Sequence, residues 1–363
     1  MVRKKIVIVG GGYVGFEVAK ELDAHADVTL IEQREAFVMP PAAIRAIVDT
    51  TLLDQIILPY DHLLTEGQVV RGRAVSISQS DVTLENGAVY PADVIVVATG
   101  SSYAAPFKPA GQSIDDFRQA SAQVSAQLTE AKSVAIVGAG AVGTELAGEI
   151  ASAHPSKDVT LISSDDRLFP MYPARLGDQL KRKLEHLGVS IVFGQKAQDL
   201  QSVDMPFNGS VALADGRVIS ADLVFPVIGS KPQSKLLEAL PGVAFGPSGR
   251  VKTDRWMRPA GLSNVFVAGD IADLGDGMTI VAISRQTPWL VKTLKRVLGG
   301  GPVEEQKAYT PWKLPPILVP LGPVVGNSWL FLTVGDWITR KMKGSALFIP
   351  KYRKAFGLSG DKK

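Results

Sequence analysis

The stretches IVIVGGGYVGFEV, residues 6 to 18, and VAIVGAGAVGTEL, residues 134 to 146, are near copies of one sequence. Each is a hydrophobic run followed by the pattern G-x-G-x-x-G. The patterned glycines are Gly10, Gly12 and Gly15 in the first copy and Gly138, Gly140 and Gly143 in the second. A strand that turns through such glycines into a helix presents backbone N–H groups to a pyrophosphate at the positive end of the helix dipole. The chain is therefore predicted to be an α/β protein with two Rossmann-like dinucleotide-binding domains.

The repeat extends beyond the glycines. VTLENGAVYPADVIVVATG, residues 82 to 100, matches VALADGRVISADLVFPVIG, residues 211 to 229. Each segment predicts a hairpin with a tight Asn-Gly or Asp-Gly turn, followed by a buried strand that ends in Gly100 or Gly229. Two complete nucleotide-binding units therefore follow one another along the chain.

The residues that end the second strand of each unit indicate what each site binds. VTLIE ends in Glu32, at the spacing where a carboxylate accepts hydrogen bonds from a ribose diol. VTLIS, the equivalent strand, ends in Ser163, and Arg167 follows it. The first site is therefore predicted to require an unphosphorylated ribose, whereas the second leaves NADH and NADPH open. Arg167 is either the partner of a 2′-phosphate or an ordinary exposed loop arginine.

Composition excludes several classes of function. The 363 residues are 46% hydrophobic, with a net charge of +3, so we expect a large core and no nucleic-acid binding. The start of the chain lacks signal-peptide features, and Val2 stands where a myristoylated protein has glycine, so we expect a cytoplasmic protein. There is no cysteine, which excludes disulfides, catalytic thiols, thiolate metal sites and cysteine-ligated clusters. No metal site is predicted, and electron chemistry is expected to use an organic cofactor.

Three motifs together resemble the flavoproteins with two dinucleotide-binding domains that are built like glutathione reductase. They are the paired glycine patterns, the strand-end ATG formed by Ala98, Thr99 and Gly100, and the segment NVFVAGDIAD at 264 to 273. The resemblance implies FAD in the first unit and NADH or NADPH as co-substrate in the second. It also implies that Asp270 binds the ribityl chain and that a helix starting near Met278 points toward the flavin. The thiol-dependent branch of these enzymes is excluded, because the chain lacks cysteine.

Within these flavoproteins, the chain resembles the apoptosis-inducing-factor-like and ferroptosis-suppressor-type oxidoreductases, which are NAD(P)H:quinone reductases. AAIRAIV, residues 42 to 48, resembles the segment whose arginine, here Arg45, lies by the FAD phosphates. RAVSIS, residues 73 to 78, resembles the strand whose backbone, here at Val75, meets the adenine. The resemblance implies that a hydride passes from NAD(P)H to FAD and that two electrons then reach a ubiquinone-like acceptor.

Three charged residues are candidate catalytic groups by the same resemblance. Glu145, early in the helix of the second unit, would reach the nicotinamide edge, or would simply complement the helix dipole. Lys343, in KGSALFI, would lie beside the active site, or would be one more basic surface residue. Lys108, in ATGSSYAAPFK, has the same two interpretations.

Other functions stay open from the sequence. A soluble reductase could supply electrons to an iron–sulfur protein that docks on a basic surface. An NAD(P)H-responsive redox sensor is a further alternative, and a homodimer is not excluded.

Domain boundaries follow from the repeat. The FAD-binding domain is predicted to be split between residues 1–108 and 245–300, with the NAD(P)H-binding domain, 109–244, inserted between its halves. A helix over 113–128 would connect them. Residues 301–363 are predicted to form a C-terminal cap and a membrane-facing element.

The prediction of membrane contact rests on the composition of the C-terminal residues. Residues 314 to 335 contain no charge over 22 positions, but their prolines and glycines favour a pair of strands around the turn at Gly326 and Asn327, packed on the flavin domain. Residues 340 to 363 contain eight lysines and arginines against one acidic residue. The apolar residues placed before and among them are Trp337, Ile338, Met342, Leu347, Phe348, Ile349, Tyr352 and Phe356. This mixture predicts peripheral contact with an anionic membrane.

Overall fold

The computed structural model describes residues 3–358. The first segment contains β1 (Lys5–Val9), α1 (Tyr13–Leu22), β2 (Asp27–Glu32), β3 (Ala36–Val38), α2 (Pro40–Ala46), α3 (Leu53–Ile56), β4 (Ile57–Pro59), β5 (Gln68–Arg71), β6 (Ala74–Ile77), β7 (Asp81–Leu84), β8 (Val89–Pro91), β9 (Val94–Val97) and β10 (Ser101–Ser102). The second contains α4 (Ile114–Glu130), β11 (Ser133–Val137), α5 (Ala141–Ala153), β12 (Asp158–Ile162), α6 (Ala174–His186), β13 (Val189–Val192), β14 (Ala197–Gln198), β15 (Phe207–Leu213), β16 (Val218–Pro226) and β17 (Lys231–Pro232). The remainder contains β18 (Val251–Lys252), β19 (Val265–Val267), β20 (Ala272–Asp273), α7 (Ile280–Leu298), β21 (Ile317–Pro320), β22 (Gly326–Trp329), β23 (Thr333–Val334), α8 (Asp336–Thr339) and α9 (Ile349–Ala355). One π-helical turn, Arg340–Gly344, follows α8 directly.

The first sheet is parallel, with the strand order β19-β9-β1-β2-β5. Apart from the edge strand β5, its strands consist mainly of Val, Ile, Leu and Phe residues that are buried on both faces, as expected when helices cover a parallel sheet. The chain leaves β1 toward β2 and later returns to β9 on the other side of β1. The carboxyl end of β1 is therefore the topological switch point, where dinucleotides bind in such sheets.

The second sheet repeats this arrangement, with the order β13-β12-β11-β16-β15-β14. The order β12-β11-β16 corresponds to β2-β1-β9 of the first sheet, and β11 occupies the central position of β1. The predicted fold class, two Rossmann-like units, is confirmed.

The two predicted hairpins form, and they differ in one respect. Their turns place Gly87 and Gly216 at positive φ, 84° and 86°, which glycine adopts without steric cost. In the first unit, β8 and β9 are separate strands. In the second unit, a single nine-residue strand, β16, serves both the hairpin and the parallel sheet.

Helix α4 joins the two units, close to the predicted range. The side chain of Ser113 caps it by accepting a hydrogen bond from the backbone N–H of Asp116 at 3.1 Å. Phe117 belongs to the core of the first unit, whereas Val124 and Leu128 belong to the core of the second. The helix therefore contributes to both cores.

The C-terminal strands differ from the prediction in their turn and in their packing partner. β21 and β22 pair antiparallel, but the turn is residues 321–325, and Gly326 and Asn327 already belong to β22. The pair packs on α5 and α6 of the second unit. Gly148 on α5 explains this contact, because a side chain there would overlap the backbone of Leu321. Within residues 3–358, no helix is long and apolar enough to span a bilayer.

Four of the residues predicted to face a membrane are core residues. Leu347, Ile349, Tyr352 and Phe356 are buried in the core of the first unit. Phe356 stacks on Phe37, with ring centroids 5.7 Å apart and planes at 10°. The burial of this apolar face explains why α9 lies against the first unit, with its basic residues outside. The last predicted residues of the basic tail, 359–363, lie outside the described part of the chain.

Candidate functional site

A cleft of about 860 Å³ lies at the switch point of the first sheet. Most of the residues predicted to bind FAD line it: Gly10, Gly12, Glu32, Val75, Ala98, Thr99, Gly100 and Asp270, together with the candidate catalytic residue Lys108. These residues come from five separated segments of the chain. Only the parallel topology, which gathers the carboxyl ends of strands at one edge, brings them together.

The glycines of the first loop have two distinct roles. Gly10 has φ +100°, and a side chain there would overlap the backbone of Ala98. A Cβ at Gly15 would overlap the carbonyl oxygen of Gly10, so this glycine allows α1 to pack on the turn. Gly12 and Gly100, by contrast, have no atom within 4 Å of a Cβ position. This open space beside the backbone N–H groups at the start of α1 fits a pyrophosphate.

Glu32 is held at the end of β2 and is buried. Its Oε2 accepts a hydrogen bond from the backbone N–H of Gly11 at 2.7 Å, and its Oε1 accepts one from the N–H of Arg34 at 3.1 Å. The carboxylate is thus fixed beside the glycine loop, where the resemblance places a ribose diol. The cleft, the loop and this carboxylate together fit the FAD that the family binds.

Asp270 and Lys108 form one polar cluster in the cleft. Asp270 Oδ2 accepts hydrogen bonds from Ser101 Oγ at 2.5 Å and from Lys108 Nζ at 3.3 Å. Lys108 Nζ also donates to Ser101 Oγ at 2.7 Å. Lys108 therefore orients and neutralises Asp270. Ser101 was not predicted, although its position directly after the ATG motif was an available signal.

A buried network behind Asp270 was also not predicted. Gln286 Oε1 accepts a hydrogen bond from the backbone N–H of Gly269 at 2.9 Å, and Gln286 Nε2 donates to Asp276 Oδ2 at 3.0 Å. Tyr309 donates to the same oxygen at 2.5 Å. Burial, and then the Asp276 carboxylate, raise the pKa of Tyr309 far above its usual range. The network fixes the turn that carries Asp270.

Met278 lies outside the lining of the cleft. Its sulfur accepts a hydrogen bond from Ser230 Oγ at 3.4 Å. Helix α7 starts two residues later than predicted, at Ile280, and Thr279 is its N-cap, accepting from the N–H of Ala282 at 3.2 Å.

The second glycine loop has the same division of roles as the first. Gly138 has φ +112°, and a side chain there would press on the carbonyl of Val227. A side chain at Gly143 would overlap the carbonyl of Gly138. Gly140 and Gly229 have open space around a Cβ position. This geometry fits the pyrophosphate of NADH or NADPH.

The two residues linked to nucleotide preference are engaged by their own loop. Ser163 is buried, and its Oγ accepts a hydrogen bond from the N–H of Asp165 at 3.1 Å. Arg167 Nη2 donates to the carbonyl oxygens of Pro170 at 2.6 Å and Tyr172 at 3.4 Å.

Glu145 and Lys343 form a buried ion pair between α5 and the C-terminal element. Lys343 Nζ lies 2.5 Å from Glu145 Oε1 and 2.7 Å from Oε2, and the residues are 3% and 8% exposed. Neither residue lines the cleft of the first unit. Burial raises the pKa of Glu145 to about 6, while the Lys343 ammonium acts in the opposite direction. A carboxyl group with this pKa exchanges its proton near neutral pH.

Arg45 lies in a second buried pair, away from the cleft. Its guanidinium donates to Glu149 from Nε at 2.9 and 3.0 Å and from Nη2 at 2.7 Å. Its Nη1 donates to the carbonyl oxygen of Gly344 at 2.6 Å. In this structure the guanidinium is thus bound to protein groups at all three of its nitrogens. Glu149 was not predicted, although its position one helical turn after Glu145 was a signal.

The fold, the two glycine loops and the cleft define a flavoprotein with two dinucleotide sites, an FAD- and NAD(P)H-dependent oxidoreductase. The chain belongs to the pyridine nucleotide-disulphide oxidoreductase family, whose profile matches residues 1–101 and 60–292. This member has no cysteine, so it does not carry the disulphide in the family's name.

Named relatives agree with this assignment. Apoptosis-inducing factor homolog A of Dictyostelium discoideum is 29% identical over 380 residues, which cover 98% of this chain and 92% of that protein. Ferroptosis suppressor protein 1 of Homo sapiens is 27% identical over 293 residues, which cover 74% of each chain.

Solved structures share the fold. Reduced Bacillus anthracis CoADR-RHD matches with a TM-score of 0.69 at 18% identity, over 90% of this chain and 62% of that one, so this chain spans less than two thirds of its length. The covalent putidaredoxin reductase–putidaredoxin complex matches with a TM-score of 0.66 at 20% identity, over 83% and 76%. At these identities the likeness concerns the fold alone.

Proposed function

We propose that the chain is an NAD(P)H:quinone oxidoreductase. The observation that carries the proposal is the buried Lys343–Glu145 pair in a chain without cysteine. The redox chemistry would come from bound FAD, which can accept a hydride from NAD(P)H and deliver two electrons to an acceptor. A quinone suits such a site because it takes up two electrons and two protons, so the protein must supply protons and stabilise a developing negative oxygen.

Lys343 is proposed to donate a hydrogen bond to the reacting quinone oxygen. An ammonium held in a buried site stabilises developing negative charge more strongly than one in water. Glu145 accepts two short contacts from Lys343 Nζ and thereby fixes its position. Because the pKa of Glu145 is about 6, this carboxyl group is also suited to exchange the protons that quinone reduction consumes.

The remaining predicted residues have roles in binding. Glu32 and the first glycine loop would hold FAD, and Asp270, oriented by Lys108, would hold its ribityl chain. The second loop would hold NAD(P)H. Lys108 thus acts in this proposal by orienting Asp270, and not by contacting the acceptor.

Anaerobic stopped-flow absorbance tests the proposal. The FAD-loaded protein is reduced with one equivalent of NADH and mixed with a short-chain ubiquinone. Rapid reoxidation of the flavin is expected. Lys343→Met should slow this reoxidation by about 10²-fold, while flavin reduction by NADH changes little. Lys354→Met, an exposed lysine of the same C-terminal element, is the matched control.

Wild-type flavin that reduces quickly but stays reduced with quinone present would overturn the proposal. Reoxidation by an iron–sulfur protein would then assign a protein acceptor, and slow reoxidation by every acceptor would assign a redox sensor.

A further inference from the structure

Although many aromatic residues of the C-terminal element are buried, several of its apolar side chains are exposed to solvent. Four of them lie between positions 331 and 342 of the C-terminal element: Phe331 and Leu332 are 62% exposed, Trp337 is 72% exposed and Met342 is 43% exposed. Phe331 and Leu332 form the tip of the β22–β23 turn, with Phe331 at a positive φ of 66°. Exposed apolar residues at a projecting tip are unusual on a surface that has no partner.

Phe331, at the tip, packs against two aromatic rings that are tilted relative to its own. The ring centroid of Phe331 lies 5.4 Å from that of the buried Trp329 and 5.3 Å from that of Trp312. The guanidinium of Arg285 lies 4.2 Å above the ring of Trp312. Phe331 is therefore presented by a packed support.

A basic pocket of about 420 Å³ lies next to the same turn, between α6 and the C-terminal strands. Its lining residues are Arg175, Gln179, Arg182, Lys183, Asn327, Thr333 and Gly335. Thr333 directly follows Leu332, and Gly335 precedes Trp337 by two positions, so two lining residues of the pocket adjoin the exposed apolar residues along the chain.

The charge of this pocket is only partly compensated. Lys183 Nζ lies 2.7 Å from Asp336 Oδ1 and 2.8 Å from the carbonyl oxygen of Gly326. Arg175 and Arg182, both exposed, have no ion pair among those the structure describes. Lys341 adds a further cation, with its Nζ 5.3 Å above the ring of Trp337. The face therefore combines projecting apolar side chains with uncompensated positive charge.

The exposed apolar residues continue to the catalytic pair. Met342 precedes Lys343 directly, and a Cβ at the neighbouring Gly344 would lie only 3.2 Å from the carbonyl oxygen of Pro323. Val324, the next residue, is 52% exposed. The exposed residues Val324 and Met342 therefore adjoin the segment that carries Lys343.

From this juxtaposition we infer that the face formed by Arg175, Arg182, Phe331, Leu332 and Trp337 docks on an anionic phospholipid bilayer. The apolar tips enter the interface and the arginines contact the headgroup phosphates. The inference rests on the proposed function in one respect, because a lipid-soluble quinone is dissolved in the bilayer on which this face would dock. This face shares Trp337 with the membrane contact predicted from the charge pattern, but its cations are the arginines of α6 and not those of the C-terminal tail.

Vesicle sedimentation of the FAD-loaded full chain tests the inference. Wild type should bind vesicles of phosphatidylcholine with phosphatidylglycerol more tightly than vesicles of phosphatidylcholine alone. Arg175→Ala with Arg182→Ala should weaken binding to the anionic vesicles by about 25-fold, or about fivefold for each cation. Phe331→Ser, Leu332→Ser and Trp337→Ser together should weaken binding to both vesicles by about 10²-fold or more.

Two matched controls separate the face from charge and hydrophobicity in general. Lys252→Ala with Lys354→Ala removes the same charge from other exposed positions, and Val218→Ser removes a side chain that is 62% exposed on another surface. Flavin content and circular dichroism verify that each variant is folded. If the controls lose as much binding as the face variants, or if wild type binds neither vesicle, the inference is wrong. A dimer in solution that only the apolar variant dissociates would assign the face to a second copy and also overturn it.

The outcomes separate the inference from the proposed function. Reduction of a soluble short-chain quinone without vesicles depends on Lys343 and should persist in all of these variants. Vesicle binding without quinone reduction would refute the proposed function alone, whereas quinone reduction without vesicle binding would refute only the docking face.

Discussion

The buried Lys343–Glu145 pair makes a prediction about stability that depends on pH. Because the pKa of Glu145 is raised from 4.5 to about 6, its contribution to stability is fully present below pH 4.5 and is lost as the pH rises through about 6. The loss corresponds to about 2 kcal/mol. In wild type, the Lys343 ammonium limits this loss, because it favours the carboxylate.

Replacing Lys343 with Met removes that limit. Burial then acts on the Glu145 carboxyl group without its counter-ion, and the pKa should rise further, toward the value of about 8 that buried glutamates reach. At pH 5, where the group is largely neutral, Lys343→Met should cost about 1 kcal/mol from the lost hydrogen bonds. At pH 8, each pH unit above the wild-type pKa adds about 1.4 kcal/mol, so the cost should be about 3 to 4 kcal/mol.

Urea unfolding of the FAD-loaded protein at pH 5 and pH 8 measures these differences. Circular dichroism and tryptophan fluorescence must give coincident transitions before a free energy of unfolding is derived. Glu145→Gln should cost about 3 kcal/mol at pH 8, because it leaves a buried ammonium without a carboxylate. The double variant Glu145→Gln, Lys343→Met should lose less than the two single variants combined and should show no pH dependence from this site. Single-variant costs that simply add, or a Lys343→Met cost that is equal at the two pH values, would refute the reasoning.

Three further predictions concern the loops and the C-terminal helix. Gly12→Ala should fold normally but bind FAD at least about tenfold more weakly in a flavin titration, because its Cβ would occupy the open space where the pyrophosphate is expected. Gly15→Ala should instead destabilise even the cofactor-free protein, because its Cβ would overlap a backbone carbonyl oxygen. Normal FAD affinity in Gly12→Ala would contradict the cleft assignment. Ser163→Glu should raise the ratio of kcat/KM for NADH to that for NADPH by about tenfold, since it introduces the carboxylate found in the first unit; an unchanged ratio would contradict the repeat equivalence. Phe356→Ala should lower the free energy of unfolding by about 3 to 5 kcal/mol in urea, whereas a surface residue would change it by less than about 0.5 kcal/mol.

The sequence predicted best those features whose cause is local. A glycine such as Gly10 or Gly138 adopts a positive φ that its own turn requires. Glu32 ends the strand next to β1, so its hydrogen bond to Gly11 follows from the strand order that the repeat predicts. The repeat reinforced each of these predictions, because the second copy imposes the same steric requirements.

Contacts between distant segments were less predictable. Glu145 and Lys343 are separated by 198 residues, and no pattern in either segment encodes their pairing. The ion pair of Arg45 with Glu149 of α5 likewise joins residues that are 104 positions apart, and neither segment encodes it.

The spacing of apolar residues in the C-terminal helix is compatible with two interpretations. Ile349, Tyr352 and Phe356 are spaced three and four residues apart, which places them on one face of a helix. The lysines between them favoured a membrane surface, yet an amphipathic helix packed on a protein core has the same pattern. The aromatic surface of the first unit decides between the two: the ring centroid of Tyr13 lies 4.9 Å from that of Tyr352, and the ring centroid of Phe16 lies 4.8 Å from that of Phe356.

The two buried pairs also explain how the domains are held for electron transfer. Lys343 binds Glu145, while the next residue, Gly344, accepts a hydrogen bond from Arg45, which in turn binds Glu149. Helix α2 of the first unit, helix α5 of the second and the C-terminal element therefore meet at one junction. Because each ion pair loses much of its Coulomb energy to desolvation, the junction contributes more to geometry than to net stability. A rotation of the second unit against the first would leave buried charges without partners. We therefore expect the two units to keep nearly the same relative position when NAD(P)H and the acceptor bind. Lys343 would then already be in place before either substrate binds.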